Sequence, residues 1–181
     1  VYAMSYHNSL QSSAPIDANL KEKAYRVIKE KIIRCQLPPG SILNERELVE
    51  EIGASRTPIR EALHRLEKEN LVMIIPQRGA FVCEITPKII NDIYQIREII
   101  EPHLVSMVTP IMPEESLLHF KQIFLSLDKK DYDGLAKRDH EFHFAVIDLV
   151  GNDCLTQLMQ NMHVQNERIR TLLTRLPQRL Q

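Results

Sequence analysis

GASRTPIREALHRLEKENLV, Gly53–Val72, is the stretch whose reading decides the fold. Gly53 suits the end of one helix, and Ser55 suits the cap of the next. Pro58 then falls in a first helical turn, where a missing N–H costs nothing. Ile59, Ala62, Leu63 and Leu66 recur at helical spacing and make one apolar stripe. Arg56, Thr57 and Arg60 lie on the leading turn, roughly opposite that stripe. A helix with its apolar face inward and two arginines at its start is built to meet something with its N-terminal end.

The flanking sequence gives this helix its company. Upstream, Asn19 is expected to cap a helix over LKEKAYRVIKEKIIRC, with Leu20, Ala24, Val27, Ile28 and Ile32 in register. Pro38, Pro39 and Gly40 stop it. Asn44 is expected to cap a second helix, ERELVEEI, that buries Leu48, Val49 and Ile52. Downstream of Asn70 the period shortens. LVMIIPQRGAFVCEI reads as two strands, about 71–75 and 80–84, joined by PQRG. Three helices followed by a two-stranded β-hairpin form a winged helix-turn-helix, expected over residues 17–85.

In a helix-turn-helix the second helix enters the DNA major groove with its N-terminal residues foremost. The arginine fork matches guanine O6 and N7, or a phosphate, at two points. The backbone N–H groups of a helix start also favour a phosphate. Charge at the start of this third helix therefore reaches DNA, and charge at its far end points away. The plain alternative makes Arg56 and Arg60 solvated helix residues paired with Glu61 or Glu67. The trihelical spacing, the Pro-bearing turn and Arg78–Gly79 at the hairpin tip together favour the DNA reading.

Bulk properties bound the rest. The 181 residues are 44% hydrophobic and 26% charged, which is a globular composition with net charge −1. Residues 1–86 hold twelve Lys and Arg against eleven Asp and Glu. That balance is too even to argue for nucleic acid, so the argument rests on local charge. Cys35, Cys83 and Cys154 form no C-x-x-C pair, and an odd count suits a reducing, cytoplasmic setting. No apolar run approaches the roughly 18 residues that span a bilayer, so no membrane partner is expected. Residues 1–16 lack a basic segment followed by an apolar one and read as a disordered tail, not a signal peptide.

Residues 86–181 read as wholly helical. PKIINDIYQIREIIEPHLVSMV carries Ile89, Ile93, Ile96, Ile100 and Leu104 in register, with Pro102 inside it. EESLLHFKQIFLSLDKK carries Leu117, Phe120, Phe124 and Leu127. Asp131 can start the next helix, Gly151–Asn152 can end it, and DCLTQLMQNMHVQNERIRTLLTRL forms the last. Four amphipathic helices with short connections imply an antiparallel bundle. The fold class expected is mostly α. Asp139 and His143, four apart, share a helix face and can grip one cation. Phe142 and Phe144 beside them place the pair near a core. A plain surface pair is the alternative for Asp139 and His143.

The motifs carry a resemblance. LNERELVEEIGASRTPIREALHRLEKENLVMIIPQRGAFV, Leu43–Val82, with LPPG before it, resembles the DNA-binding domain of GntR-family bacterial transcription regulators. The resemblance implies that Arg46, Arg56 and Arg60 contact DNA, with Ser55, Thr57 and the wing residues Gln77, Arg78 and Gly79. DIYQIREIIEPHLVSMV and RDHEFHFAVIDLVGN resemble the helical effector domain called FCD, found in the FadR subfamily. It implies a homodimer on an inverted-repeat operator in the nucleoid, controlled by a small carboxylate. It also implies a divalent metal, zinc or nickel, on Asp139 and His143, with two more histidines on a later helix pair. His103, His119 and His163 are not at those late positions, so the metal site is expected to be incomplete in residues 86–181; either the chain is a piece of a longer protein, the favoured reading, or the protein lacks the metal. His140 is expected on another face. Arg97 is expected either to face the effector or to pair with Glu101. Two rival readings stand beside these. One is a metal-dependent hydrolase using Asp139 and His143, although no third ligand or general base is expected. The other is a winged helix that binds protein instead of DNA.

Overall fold

The computed structural model describes residues 16–128 and 131–179. The expected tail lies outside them, except for Ile16. Two compact units divide between Glu84 and Ile85.

The first unit begins with α1, Ile16–Ile33, followed by β1, Ile42–Leu43, α2, Glu45–Ile52, and α3, Arg56–Lys68. β2, Val72–Ile75, and β3, Gly79–Val82, complete it. The reason for each boundary is local. Asn44 caps α2, its side chain accepting from the Arg46 N–H. Gly53 ends α2 in the left-handed conformation, φ 69°, which a Cβ would disfavour. Pro58 is buried in the first turn of α3, and Ile59, Ala62, Leu63 and Leu66 form its inner stripe. That stripe meets Ala24, Ile28 and Ile32 among the fully buried apolar residues of the unit.

Three expectations need correction. α1 starts at Ile16, so Asn19 lies inside the helix instead of capping it. Ser55 holds the cap position of α3, but its side chain makes no capping hydrogen bond. The sheet has three strands, ordered β1-β3-β2, not two. Ile42 and Leu43 pair antiparallel with Phe81 and Ala80, and Val72 to Ile75 pair with Val82 to Gly79. A two-residue strand has no period to read. β1 exists because the edge of β3 needs partners: Val82 N–H donates to Ser41 O, and Gly40 N–H donates to Val82 O.

Half-buried polar groups lock α1 to α3. The Tyr25 hydroxyl donates to Glu69 at 2.7 Å, and Lys29 reaches the same carboxylate at 2.6 Å. The Arg65 guanidinium lies 3.5 Å over the Tyr25 ring. Burial raises the Tyr25 pKa, against the pull of Lys29. Burial alone would lower Lys29, but hydrogen bonds with Glu69 and Tyr25 carry it upward.

The second unit holds α4, Pro87–Val108; α5, Glu114–Ser126; α6, Tyr132–Val150; and α7, Asp153–Arg179. Thr86 caps α4, and Asp131 caps α6 by accepting from the Gly134 N–H. Gly151, at φ 64°, ends α6. Leu104, Val108, Met112, Val146, Ile147, Met159 and Met162 form the buried cluster. α5 rests on α6 through Phe120 and Phe124, both edge-on to Phe142 at 5.3 and 6.0 Å. Ile96, expected inside, is exposed, and so is Leu117.

Candidate functional site

Two sites emerge, one in each unit. The first is the leading edge of α3. Its opening turn splits by helical geometry: Pro58 and Ile59 go into the core, while Arg56, Thr57 and Arg60 stay exposed. Ser55 precedes them, also exposed, and Arg46 is exposed on α2. Three residues, Gly53 to Ser55, connect α2 to α3 in the compact turn typical of a helix-turn-helix. Arg60 Nε donates to Glu45 Oε2 at 3.0 Å, which places the starts of α2 and α3 side by side. The partner is thus Glu45, and neither Glu61 nor Glu67. Arg46, Arg56 and Arg78 form no ion pair among the described residues, so their guanidinium groups face solvent. His64 stands on the exposed side of α3, 3.4 Å from Glu67.

At the wing, Arg78 N–H donates to Ile75 O and closes a tight turn with Pro76 at its second position. Gln77 takes φ 63° and Gly79 takes φ 103°. A positive φ at a non-glycine residue carries strain. The turn holds Gln77, Arg78 and Gly79 exposed at the tip of the β2–β3 hairpin.

The second site lies inside the helical unit. Asp139 and His143, one turn apart on α6, stand 3.4 Å apart between Oδ1 and Nε2. α4 adds Glu101, whose Oε1 is 3.8 Å from His143 Nδ1. α7 adds His163, with its ring 5.0 Å from that of His143. One donor atom each from Glu101, His143 and His163 fall within 4.8 Å of one another. The fold thus brings two candidate donors, Glu101 and His163, to His143, while Asp139, expected as a ligand with His143, is not part of this three-residue cluster. His163 is not at the position the resemblance implied, yet the fold brings it in from α7. His103 and His119 are exposed elsewhere in the unit. The exposed His140 ring stacks on Phe144 at 4.3 Å and stands 5.6 Å from His163.

The electrostatics fit a cation. His163 Nε2 is buried and has no hydrogen-bond partner among the described residues. Such a buried, unpaired nitrogen is costly. Burial, then the nearby His143, His140 and Arg97, lower its pKa to about 4, so the ring is neutral at pH 7 with its lone pair free. The Asp139 carboxyl is held below its usual range, first by His143, then, against burial, by Arg170 and Arg97. Neutral imidazole plus carboxylate oxygen is the donor set of a borderline divalent metal.

Two cations balance the carboxylates. Arg97 Nε donates to Glu101 Oε1 at 2.7 Å, and a second guanidinium nitrogen reaches Oε2 at 3.4 Å. Arg97 thus makes the i+4 pair with Glu101 in this structure. Burial opposes its charge, but Glu101 raises its pKa. Arg170 lies 3.8 Å from Asp139, and its Nε is buried without a hydrogen-bond partner among the described residues. The Tyr94 hydroxyl and Asn166, buried on α7, contact at 3.4 Å. A small cavity beside these groups is lined by Glu101, Leu104, Val105, His143, Val146, Ile147 and Met159.

Known proteins agree with both units. Residues 20–82 match the family described as bacterial regulatory proteins, gntR family, and residues 92–181 match the FCD domain. The HTH-type transcriptional repressor RspR of Escherichia coli K12 is 24% identical over 171 residues, covering 92% of this chain and 73% of that protein. An HTH-type transcriptional regulator from the TAR-I ttuE-ttuC' intergenic region of Agrobacterium vitis is 30% identical, covering 68% of this chain and 77% of its own length. Among solved structures, E. coli McbR/YncC superposes with TM-score 0.69 at 22% identity, covering 87% of this chain and 76% of that one. A GntR protein from Rhodococcus sp. RHA1 gives 0.66 at 23%, covering 85% and 75%. Those two likenesses show the fold. None of the described helices is long and apolar enough to cross a membrane. With a match to the gntR family over its first unit and to the FCD domain over its second, this chain belongs to the GntR family of DNA-binding transcription regulators.

Proposed function

We propose that the chain binds an inverted-repeat operator as a homodimer in the bacterial cytoplasm and responds to a small carboxylate held beside a divalent metal, zinc or nickel. At the DNA, Arg56 and Arg60 read base edges from the start of α3. Arg46, Ser55, Thr57 and the wing residues Gln77, Arg78 and Gly79 position the protein on the backbone. Phosphate contacts give most of the affinity and its salt dependence, and base contacts give the specificity. An apolar stripe on α4, Ile96, Ile99 and Met107, is exposed and supports pairing with a second copy.

In the helical unit, Asp139, His143, Glu101 and His163 are the residues that would hold the metal. Bound there, it would offer a Lewis-acid position for a carboxylate oxygen. Arg97 and Arg170, already turned toward carboxylates, would meet the remaining charge of such a ligand. The observation that carries this reading is His163 Nε2, buried and unpaired beside His143 and Glu101. The effector would act by favouring one arrangement of the dimer over another, and its influence on DNA affinity would be reciprocal.

Metal binding is tested on chelator-stripped protein. Zinc or nickel should raise the thermal midpoint, equivalent to about 2.7 kcal/mol at a hundredfold excess over Kd. His163→Ala should abolish most of that gain while leaving the metal-free midpoint equal or higher, since it removes an unpaired buried group. Equal metal stabilisation of both proteins would exclude His163 from the site.

A further inference from the structure

We propose that Glu45 sets the specificity of DNA recognition by holding Arg60: its carboxylate takes the Arg60 Nε–H and so fixes which edge of the guanidinium meets the base pairs. The proposal rests on the reading that Arg60 contacts a base.

Glu45 is the first residue of α2, directly after the Asn44 cap, and Arg60 is the fifth residue of α3. Fifteen residues separate them, so the contact exists only because the turn folds the two helix starts together. The bond is 3.0 Å, from Nε to Oε2. Arg46, Arg56 and Arg78, the other arginines of the exposed edge, have no such anchor among the described residues. Arg60 alone among them is oriented before DNA arrives.

The chemistry of the anchor is selective. A guanidinium offers five N–H donors. A carboxylate on Nε leaves the two terminal nitrogens, whose paired N–H groups match guanine O6 and N7. An unanchored arginine has many rotamers, and part of that freedom is lost whenever it docks. Holding it in advance reduces that loss for the one base that fits.

Stability does not account for the pair. Its side chains are 61% and 33% exposed, and an exposed ion pair contributes little to folding. Against DNA the balance changes in two ways. Exclusion of water strengthens the contact. The carboxylate also sits beside a polyanion, which opposes binding to every duplex alike. Glu45 therefore weakens binding to DNA in general and strengthens it only where Arg60 finds its base. Those opposite signs separate a positioning residue from a merely structural one.

The test begins with a duplex enriched from a randomised pool by the unaltered chain, and a scrambled duplex of equal length. Affinities for both are measured for the unaltered chain, Glu45→Gln, Arg60→Ala and the double variant. Glu47→Gln is the control, since it removes the same charge from the same helical turn without touching Arg60. We expect Glu45→Gln to weaken the enriched duplex about 3- to 10-fold, the scale of coupled contacts, and to bind the scrambled duplex equally or more tightly. In the Arg60→Ala background the same substitution should no longer weaken the enriched duplex. Glu47→Gln should leave the ratio of the two affinities unchanged. A uniform change on both duplexes from Glu45→Gln, or an undiminished loss without Arg60, overturns the proposal. If Arg60→Ala itself weakens both duplexes equally, base reading by Arg60 fails first. If Arg60→Ala is selective and Glu45→Gln is not, only the role of Glu45 fails.

Discussion

The two units distribute charge in opposite ways. In the first, the buried residues described are apolar, and the arginines that matter stand outside: Arg46, Arg56 and Arg78 without an ion pair among the described residues, Arg60 on a surface carboxylate. In the second, His163, Asn166 and Arg168 are buried, Arg97 pairs with Glu101 inside, and Ile99, Met107, Leu118 and Leu125 face outward. One unit presents its chemistry as a surface, and the other encloses it. A surface suits a rod of phosphates and base edges, which no small cavity admits. An enclosure suits a metal and a small acid, where a low dielectric strengthens each charge. α5, at the edge of that unit, buries none of its residues.

The largest expected effect tests the closed core of the first unit. Leu66 is fully buried, and Leu66→Ala should lower unfolding free energy by about 2–5 kcal/mol through lost transfer energy and a cavity. Urea unfolding of the isolated unit or the whole chain reads it. A loss below about 1 kcal/mol would mean that α3 is held more loosely than its packing implies.

This contrast explains what was legible in the sequence. In the first unit most local rules agreed with the tertiary outcome: Asn44 caps, Gly53 turns left-handed, Pro58 sits in a first turn, and the α3 stripe is buried throughout. The failures there were the two-residue β1, which has no period to read, the cap read at Asn19, which lies inside α1, and Ser55, which holds the cap position without a capping hydrogen bond. In the second unit, Asp139 and His143 were legible because they are one turn apart. Glu101 and His163 come from other helices, and nothing local ties them to α6. A trace existed for His163: it lies four residues after Met159 and three before Asn166, on the buried face of α7. A polar residue on an apolar stripe needs a partner, but the sequence does not say which. Arg97 was legible as one of two alternatives, and its fork on Glu101 is the pair expected at i+4.

The next effect sharpens the contrast within one residue type. Arg97 and Glu101 are 16% and 20% exposed, and removing Arg97 leaves a carboxylate largely out of water. Arg97→Ala should cost about 1–3 kcal/mol of stability, the penalty for an unpaired buried group. Zinc added to the variant should recover part of that loss, because Glu101 then has a cation again. Both are read from thermal or urea unfolding with and without metal. If Arg97→Ala leaves stability unchanged, the interior is wetter than its burial indicates and the enclosure argument weakens.

The smallest effect on folding belongs to the same substitution outside. Arg60 is exposed and its ion pair is a surface pair, so Arg60→Ala should change unfolding free energy by no more than about 0.5 kcal/mol. Its consequence appears only with DNA: a loss of about 1–3 kcal/mol on the enriched duplex if Arg60 reads a base. A phosphate contact would instead lower affinity on all duplexes and reduce the slope of log affinity against log salt by about one. Arg97→Ala should show the reverse pattern, with a clear loss in folding. Its metal-free affinity for DNA should be unchanged under conditions where the chain is folded. Finding that Arg60→Ala unfolds the protein, or that Arg97→Ala selectively weakens the enriched duplex, would break the division between an outward-facing and an enclosed chemistry. The two arginines differ in surroundings and not in kind, so their responses isolate what the surroundings contribute.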